Sequence, residues 1–157
     1  MPQTSETLRL ILASIAYHAS KAISDAPGNY PEFDAGMGVR TPRRILHHVS
    51  GVLIYADSFY VHYDTTRFPM KPWDDEVEHF YITLSRLDES LRIRTPKGVT
   101  ELQILQGPLS DAMAHIGQLL MLRRLAGVPV LSENFIYADI KVGVVGPEQP
   151  DPVAPDE

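Results

Sequence analysis

The chain has 157 residues and a formal net charge of −6, which fits one domain of ordinary size. The acidic balance argues against nucleic acid or an anionic membrane as a main partner, because both require a positively charged surface. The chain contains no cysteine, which excludes disulfides, thiolate zinc sites and cysteine nucleophiles. A hydrophobic content of 44% is typical of a globular protein.

The N-terminal apolar run at residues 8–16 lacks the pattern of a signal peptide, because Glu6 precedes it and Arg9 interrupts it. No stretch of sequence approaches the ~20 apolar residues that span a bilayer. We therefore expect a soluble, cytoplasmic protein that does not bind membranes or nucleic acid.

Hydrophobic periodicity predicts four helices, at about residues 4–23, 42–62, 72–93 and 107–126. The second has a clear start, with Thr41 as N-cap and Pro42 at the first helical position. Gly107-Pro108 predicts the start of the fourth helix, and Gly127 predicts its end. Residues 99–105 fit either a short helix or an extended segment.

The remaining segments are irregular. The connection at residues 26–40 is long for a compact domain and is a candidate wall for a substrate pocket. Aromatic and β-branched residues at 135–145 fit an extended arm or a pair of strands. Prolines and few apolar residues at 147–157 predict a disordered tail. Together these patterns predict one domain at 1–146, an all-α antiparallel four-helix bundle with a C-terminal extended arm.

The predicted fourth helix carries an acid and a histidine on its apolar side. At about 100° per residue, His115 lies within the stripe formed by Leu119 and Leu122, and Asp111 lies one turn earlier on the same side. A second pair with the same spacing, Asp75 and His79, lies on the polar side of the third helix. The direction of the side chains therefore favours Asp111 and His115 as a site.

The second helix offers a partner, because His48 follows its apolar stripe and the neighbouring His47 is turned about 100° away. Two imidazoles and one carboxylate, from His48, Asp111 and His115, can satisfy one another by binding a divalent metal. Such a ligand set suits Zn, Ni or Fe(II) and leaves at least one coordination position open.

Plainer interpretations fit the same residues. Asp111 and His115 can form an ion pair on a wet helix surface, and His48 can be a hydrogen-bonded core histidine. Gln118 is a candidate hydrogen-bond partner behind the ligands or an ordinary polar residue. Tyr55 is a candidate pocket wall or a core tyrosine with a solvated hydroxyl.

The sequence resembles the DinB-like (DinB/YfiT-like) family of metalloproteins over roughly residues 4–129. The motifs that carry the resemblance are T-P-R-R-I-L-H-H at 41–48, D-A-M-A-H-I-G-Q-L at 111–119 and R-R-L-A-G-V-P at 123–129. The family pattern has one histidine on the second helix, which corresponds to His48. It has H-x-x-x-H on the fourth helix, where this chain has Asp111 in place of the first histidine.

The resemblance implies a four-helix bundle that binds Zn or Ni through His48, Asp111 and His115. The resemblance includes thiol-dependent relatives that have a carboxylate ligand at this position. It also implies a homodimer. The function that it implies is a metal-dependent transferase or hydrolase, which acts on a small-molecule substrate by activating a water or a low-molecular-weight thiol. The alternative is a non-catalytic bundle that binds a small ligand or a partner subunit and in which the metal site is vestigial.

Overall fold

The structure, a computed structural model, describes residues 2–63 and 68–155, and these residues form helices and turns without a β-strand. The α-helices are α1 (Pro2–Ile23), α2 (Pro42–Asp57), α3 (Trp73–Ile93), α4 (Glu101–Ile104) and α5 (Ser110–Leu125). The prediction of an all-α fold is confirmed. Within the described part of the chain, no helix combines the length and the apolar character needed to cross a bilayer.

Helix α2 begins as predicted, because Thr41 caps it by accepting a hydrogen bond from the Arg44 amide and Pro42 occupies the first turn. It ends at Asp57, five residues before the predicted end near residue 62. The α-helix gives way there to a 3₁₀-type turn, because the Tyr60 amide donates a hydrogen bond of 2.9 Å to the Asp57 carbonyl, three residues earlier.

The predicted start of the fourth helix at Gly107 is wrong, because helical structure begins earlier. Thr100 and Gln103 form a capping box that starts α4: the Thr100 hydroxyl accepts from the Gln103 amide, and the Gln103 side chain accepts from the Thr100 amide. A π-helical turn (Leu105–Leu109) then leads directly into α5. Residues 99–105 therefore belong largely to a helix, and residues 101–125 form one continuous helical stretch.

Pro108 explains the π turn. Proline has no N–H to donate, and inside a regular α-helix its ring would clash with the carbonyl four residues earlier, that of Ile104. Widening the turn accommodates the ring. The Ser110 hydroxyl donates to the Leu105 carbonyl at 2.7 Å, five residues back, which gives that carbonyl a side-chain partner.

Helices α1 and α2 each pack against both α3 and α5. The core between them consists of fully buried aliphatic and aromatic side chains such as Leu12, Val49, Leu84 and Leu119. Their burial, at about 25 cal/mol per Å² of apolar surface, is the main stabilising contribution to the fold.

Helix directions follow from the residues that meet. Contacts from Arg9 to Asp88 and from Ser20 to Tyr81 make α1 and α3 antiparallel. Helices α2 and α3 are parallel instead, because His47 meets Glu76 near both starts and the Phe59 carbonyl accepts from the Lys97 amide beyond both ends. The expectation of an antiparallel bundle does not describe this pair, nor α1 and the stretch 101–125, because Arg123 near the end of α5 donates to the Ala22 carbonyl near the end of α1.

The chain after α5 forms no strand pair among the described residues. It contains a 3₁₀ turn (Phe135–Tyr137), a single antiparallel bridge between Glu133 and Pro155, and a buried Val145 that packs against the core. Of the proline-rich tail, the structure describes residues 147–155, and its disorder stays a prediction.

Glu133 attaches this C-terminal segment to α1. Its carboxylate is fully buried, accepts hydrogen bonds from the Tyr17 hydroxyl at 2.7 and 2.9 Å, and forms an ion pair with Lys21. Burial alone would raise the pKa of Glu133, but the hydrogen bonds from Lys21 and Tyr17 outweigh burial, so its pKa is lowered.

We predict that Glu133→Gln lowers the free energy of unfolding by about 3 kcal/mol at neutral pH, because Lys21 loses its buried partner. The lowered pKa makes the contribution of Glu133 complete above the unfolded-state value of about 4.3 and lost as the pH falls below it. Urea titrations from pH 7 to about pH 3 should therefore show the wild type and the variant converging in acid. A constant difference across this range would contradict the assignment, and Glu148→Gln, an exposed tail substitution, is the control.

Candidate functional site

Helix α2 directs two adjacent histidines to different neighbours. Its buried face is centred on Val49, Leu53 and Ala56, and His47 and His48 lie on opposite flanks of that face. The His47 Nδ1 donates to Glu76 Oε1 of α3 at 2.8 Å, whereas His48 faces α5. The sequence-based placement of His48 along the inward stripe is therefore wrong, because α2 is covered by two helices and its buried face is shifted.

Helix α5 presents Asp111 and His115 beside its buried face, which consists of Ala112, Ile116 and Leu119. The Asp111 side chain is 50% exposed and that of His115 is 17% exposed. The sequence placed Asp111 on the apolar side of its helix, but half of its side chain is exposed. The pair lies at the solvent-facing edge of the contact between α2 and α5.

The structure brings the three predicted ligands together. One donor atom from each of His48, Asp111 and His115 lies within 4.8 Å of the other two. The His115 Nε2 is 3.3 Å from Asp111 Oδ1, and the His48 Nε2 is 3.8 Å from Asp111 Oδ2. The two imidazole rings meet edge to face with their centroids 4.6 Å apart.

Gln118 fixes the proton on His115. Its Oε1 lies 3.0 Å from the His115 Nδ1, and since an amide oxygen can only accept, this hydrogen bond requires a proton on Nδ1. The His115 Nε2 lone pair is thereby directed at Asp111. Gln118 therefore bonds the ring nitrogen of His115 that does not face Asp111, which is the position of a hydrogen-bond partner that orients a ligand.

In the neutral ring with Nδ1 protonated, the His115 Nε2 is a hydrogen-bond acceptor that faces the Asp111 carboxylate at 3.3 Å. Such a pair repels unless a cation, either a proton or a metal ion, lies between its members. Burial lowers the pKa of His48, and the positive charge of Arg40 lowers it further against the opposing effect of Asp111. The lowered pKa favours the neutral imidazole, which is the form that binds metal.

The donor set fits a divalent ion. Zinc with ligands at about 2.0–2.1 Å in tetrahedral geometry requires donors about 3.4 Å apart. The measured separations of 3.3 and 3.8 Å are within a small side-chain adjustment of that value. Three protein ligands leave the fourth tetrahedral position for a water or a substrate.

Tyr55 does not belong to the core. Its side chain is largely exposed, meets Phe59 edge to face at 5.0 Å, and lines an open groove between α2 and the π turn. Asp111 lines the same groove, so the groove adjoins the three-residue cluster. The residues of the π turn that form the other wall were not predicted from the sequence. The T-x-x-Q capping signature at Thr100 indicates a helix that begins there and contains Gly107 and Pro108.

The expected pocket walls at residues 26–40 and after residue 135 do not line this groove. The first segment is held elsewhere by Tyr30, which is fully buried and donates to the Leu119 carbonyl at 2.8 Å. Arg43 of α2 forms an ion pair with Glu32 of that segment and donates a hydrogen bond to the Lys71 carbonyl.

The second acid–histidine pair has no comparable surroundings. Asp75 is exposed, and His79 meets Phe68 at 5.2 Å between ring centroids. Across residues 2–63 and 68–155, His48, Asp111 and His115 form the one group of three such side chains with converging donors.

Comparisons of the chain with protein-family models, with curated proteins and with solved structures found no match.

We predict that replacing the two adjacent histidines changes the free energy of unfolding by very different amounts. His47→Ala should lower the free energy of unfolding by about 2–3 kcal/mol, because Glu76 is fully buried and keeps only the Lys71 amide as a partner. His48→Ala, in a wet site, should change it by less than about 0.5 kcal/mol in metal-free protein. Urea unfolding with a chelator present measures both, and equal losses would refute the division of roles on α2.

Proposed function

We propose that this chain is a divalent-metal-binding protein in which His48, Asp111 and His115 hold Zn or Ni, with Fe(II) as a further candidate. The observation that carries the proposal is the convergence of three donor atoms within 4.8 Å, two of them acceptors that face each other. A tetrahedral ion satisfies all three donors at once, and neutral imidazoles with a carboxylate suit these metals.

The proposed architecture is a four-helix bundle of the DinB-like type, in which α5 supplies two ligands and α2 the third. The packing of α1 and α2 against both α3 and α5 supports a bundle. The sequence motifs at 41–48 and 111–119 support the family assignment. A cytoplasmic location, a homodimer and a C-terminal arm are parts of the proposal that rest on the sequence alone.

Each residue has a separate role in this proposal. His48 and His115 present their Nε2 atoms, and Asp111 presents a carboxylate oxygen toward each imidazole. Gln118 holds the His115 ring in the tautomer that leaves its Nε2 free of a proton. Tyr55 forms a wall of the adjoining groove.

The proposed reaction class is transfer or hydrolysis, with a low-molecular-weight thiol or a water as nucleophile and a small molecule as substrate. A metal held by three protein ligands supplies a Lewis acid that makes such a nucleophile reactive near neutral pH. The half-exposed Asp111 supports access for an external molecule from the groove side.

We predict that His48→Ala, Asp111→Ala and His115→Ala each reduce bound Zn or Ni to well below one ion per chain, because two ligands hold an ion weakly. Metal content is measured by elemental analysis after dialysis against limiting metal. The matched controls are Asp75→Ala and His79→Ala, which remove the same residue types at the same spacing from α3. Wild-type metal content in the first three variants would refute the site.

We predict that Gln118→Ala weakens metal affinity by about 10- to 100-fold while one ion still binds at saturation, because the His115 ring loses the partner that orients it. Competition with a chromophoric chelator gives the affinity. An unchanged affinity would show that Gln118 is an ordinary surface residue, and Gln103→Ala, a helix-cap change, serves as the control for stability.

A second candidate function, a non-catalytic ligand-binding protein with a vestigial site, is favoured by the exposure of Asp111. The two candidates differ in metal stoichiometry. The vestigial site predicts substoichiometric metal and no turnover with any thiol or ester substrate, whereas the metalloenzyme predicts one ion per chain and turnover that falls when His115 is replaced.

A further inference from the structure

The groove beside the candidate metal site has a shape and charge that select a ligand class. It is open to solvent and has a volume of about 600 Å³; its walls are Val52 and Tyr55 of α2 and Gln106, Gly107, Pro108 and Ser110 of the π turn and α5. Asp111 closes one end. We propose that this groove, the Tyr55 groove, binds a small molecule with an uncharged aromatic body whose single Lewis-basic donor would reach an ion held by Asp111 and the two histidines; the proposal rests on the metal-binding function above.

Charge argues for an uncharged ligand. Asp111 is the one charged residue among those that line the Tyr55 groove, so any net charge of a divalent ion held there would lie at that end only. The groove therefore offers no cationic partner for an anionic body. The cavity of about 670 Å³ at the start of α1 differs, because Arg9, Arg94, Glu6 and Glu101 line it with both signs of charge.

The wall argues for an aromatic ligand. Tyr55 exposes most of its ring, and Phe59 supports that ring edge to face at 5.0 Å. Gly107 and Pro108 also line the groove, where Gly107 contributes no side chain and Pro108 is largely buried. A flat ring can therefore lie against Tyr55 with its polar end at Asp111.

Gly107 keeps the groove open. A Cβ built at Gly107 meets no heavy atom within 4 Å, and the residue does not have the positive φ that a side chain would oppose. A larger residue is therefore compatible with the backbone and would project into open space. Gly117 of α5 is equally unobstructed and is absent from the groove lining, which makes it a matched control.

The test uses the full chain loaded with Zn(II), at about pH 8, and two probes that share one donor: imidazole and 4-phenylimidazole. We expect 4-phenylimidazole to bind at least about tenfold more tightly in calorimetry, because its phenyl ring is buried in the groove. Gly107→Leu should abolish that preference, and Gly117→Leu should keep it. Tyr55→Ala, an exposed truncation that leaves the core intact, should reduce it several-fold.

Equal affinity of the wild type for the two probes, or a preference that survives Gly107→Leu, would overturn the groove assignment. Elemental analysis of the same samples tests the metal site separately. If no Zn is bound, 4-phenylimidazole is titrated into the metal-free chain and the changes in amide chemical shift are measured. These changes test binding in the groove independently of the metal site. Shift changes centred on Val52, Tyr55, Gly107 and Ser110 support it, and changes elsewhere or none at all overturn it.

Discussion

The rotation of α2 between α3 and α5 is the constraint on which the candidate site depends. Neighbouring residues on a helix differ by about 100°, so a rotation of α2 by one residue would place His47 where His48 now faces α5. Two features oppose that shift: the buried face of Val49 and Leu53, and the contact of His47 with the fully buried Glu76. The anchor on α3 thus determines which imidazole faces α5.

The π turn provides the matching constraint on the other helix. Ile104 and Ala112 are both buried although eight residues separate them, which in a regular helix would turn them about 80° apart. The π turn takes up about one residue, and the two side chains then share one face to within about 20°. Pro108 requires this wider turn, and as a result Asp111 emerges at the edge facing His48.

Sequence patterns predicted the helices and the three converging residues better than they predicted the surroundings. Thr41 and Pro42 mark the start of α2 because capping is a local interaction. The exposure of Asp111 could not be predicted in this way, since a helical wheel does not reveal how many helices cover a face. Glu133 was missed for a related reason: its partners Tyr17 and Lys21 lie more than 100 residues away in sequence.

A proton and a metal ion are the two cations that can relieve the repulsion among the acceptors of this cluster. A proton bridges two acceptors at hydrogen-bond distance, and the Asp111–His115 separation of 3.3 Å alone could accommodate one. It gives no reason for His48 to turn its Nε2 toward the same carboxylate at 3.8 Å. The three donors come from two helices and lie within 4.8 Å of one another, a spacing that a single ion could bridge after small side-chain adjustments.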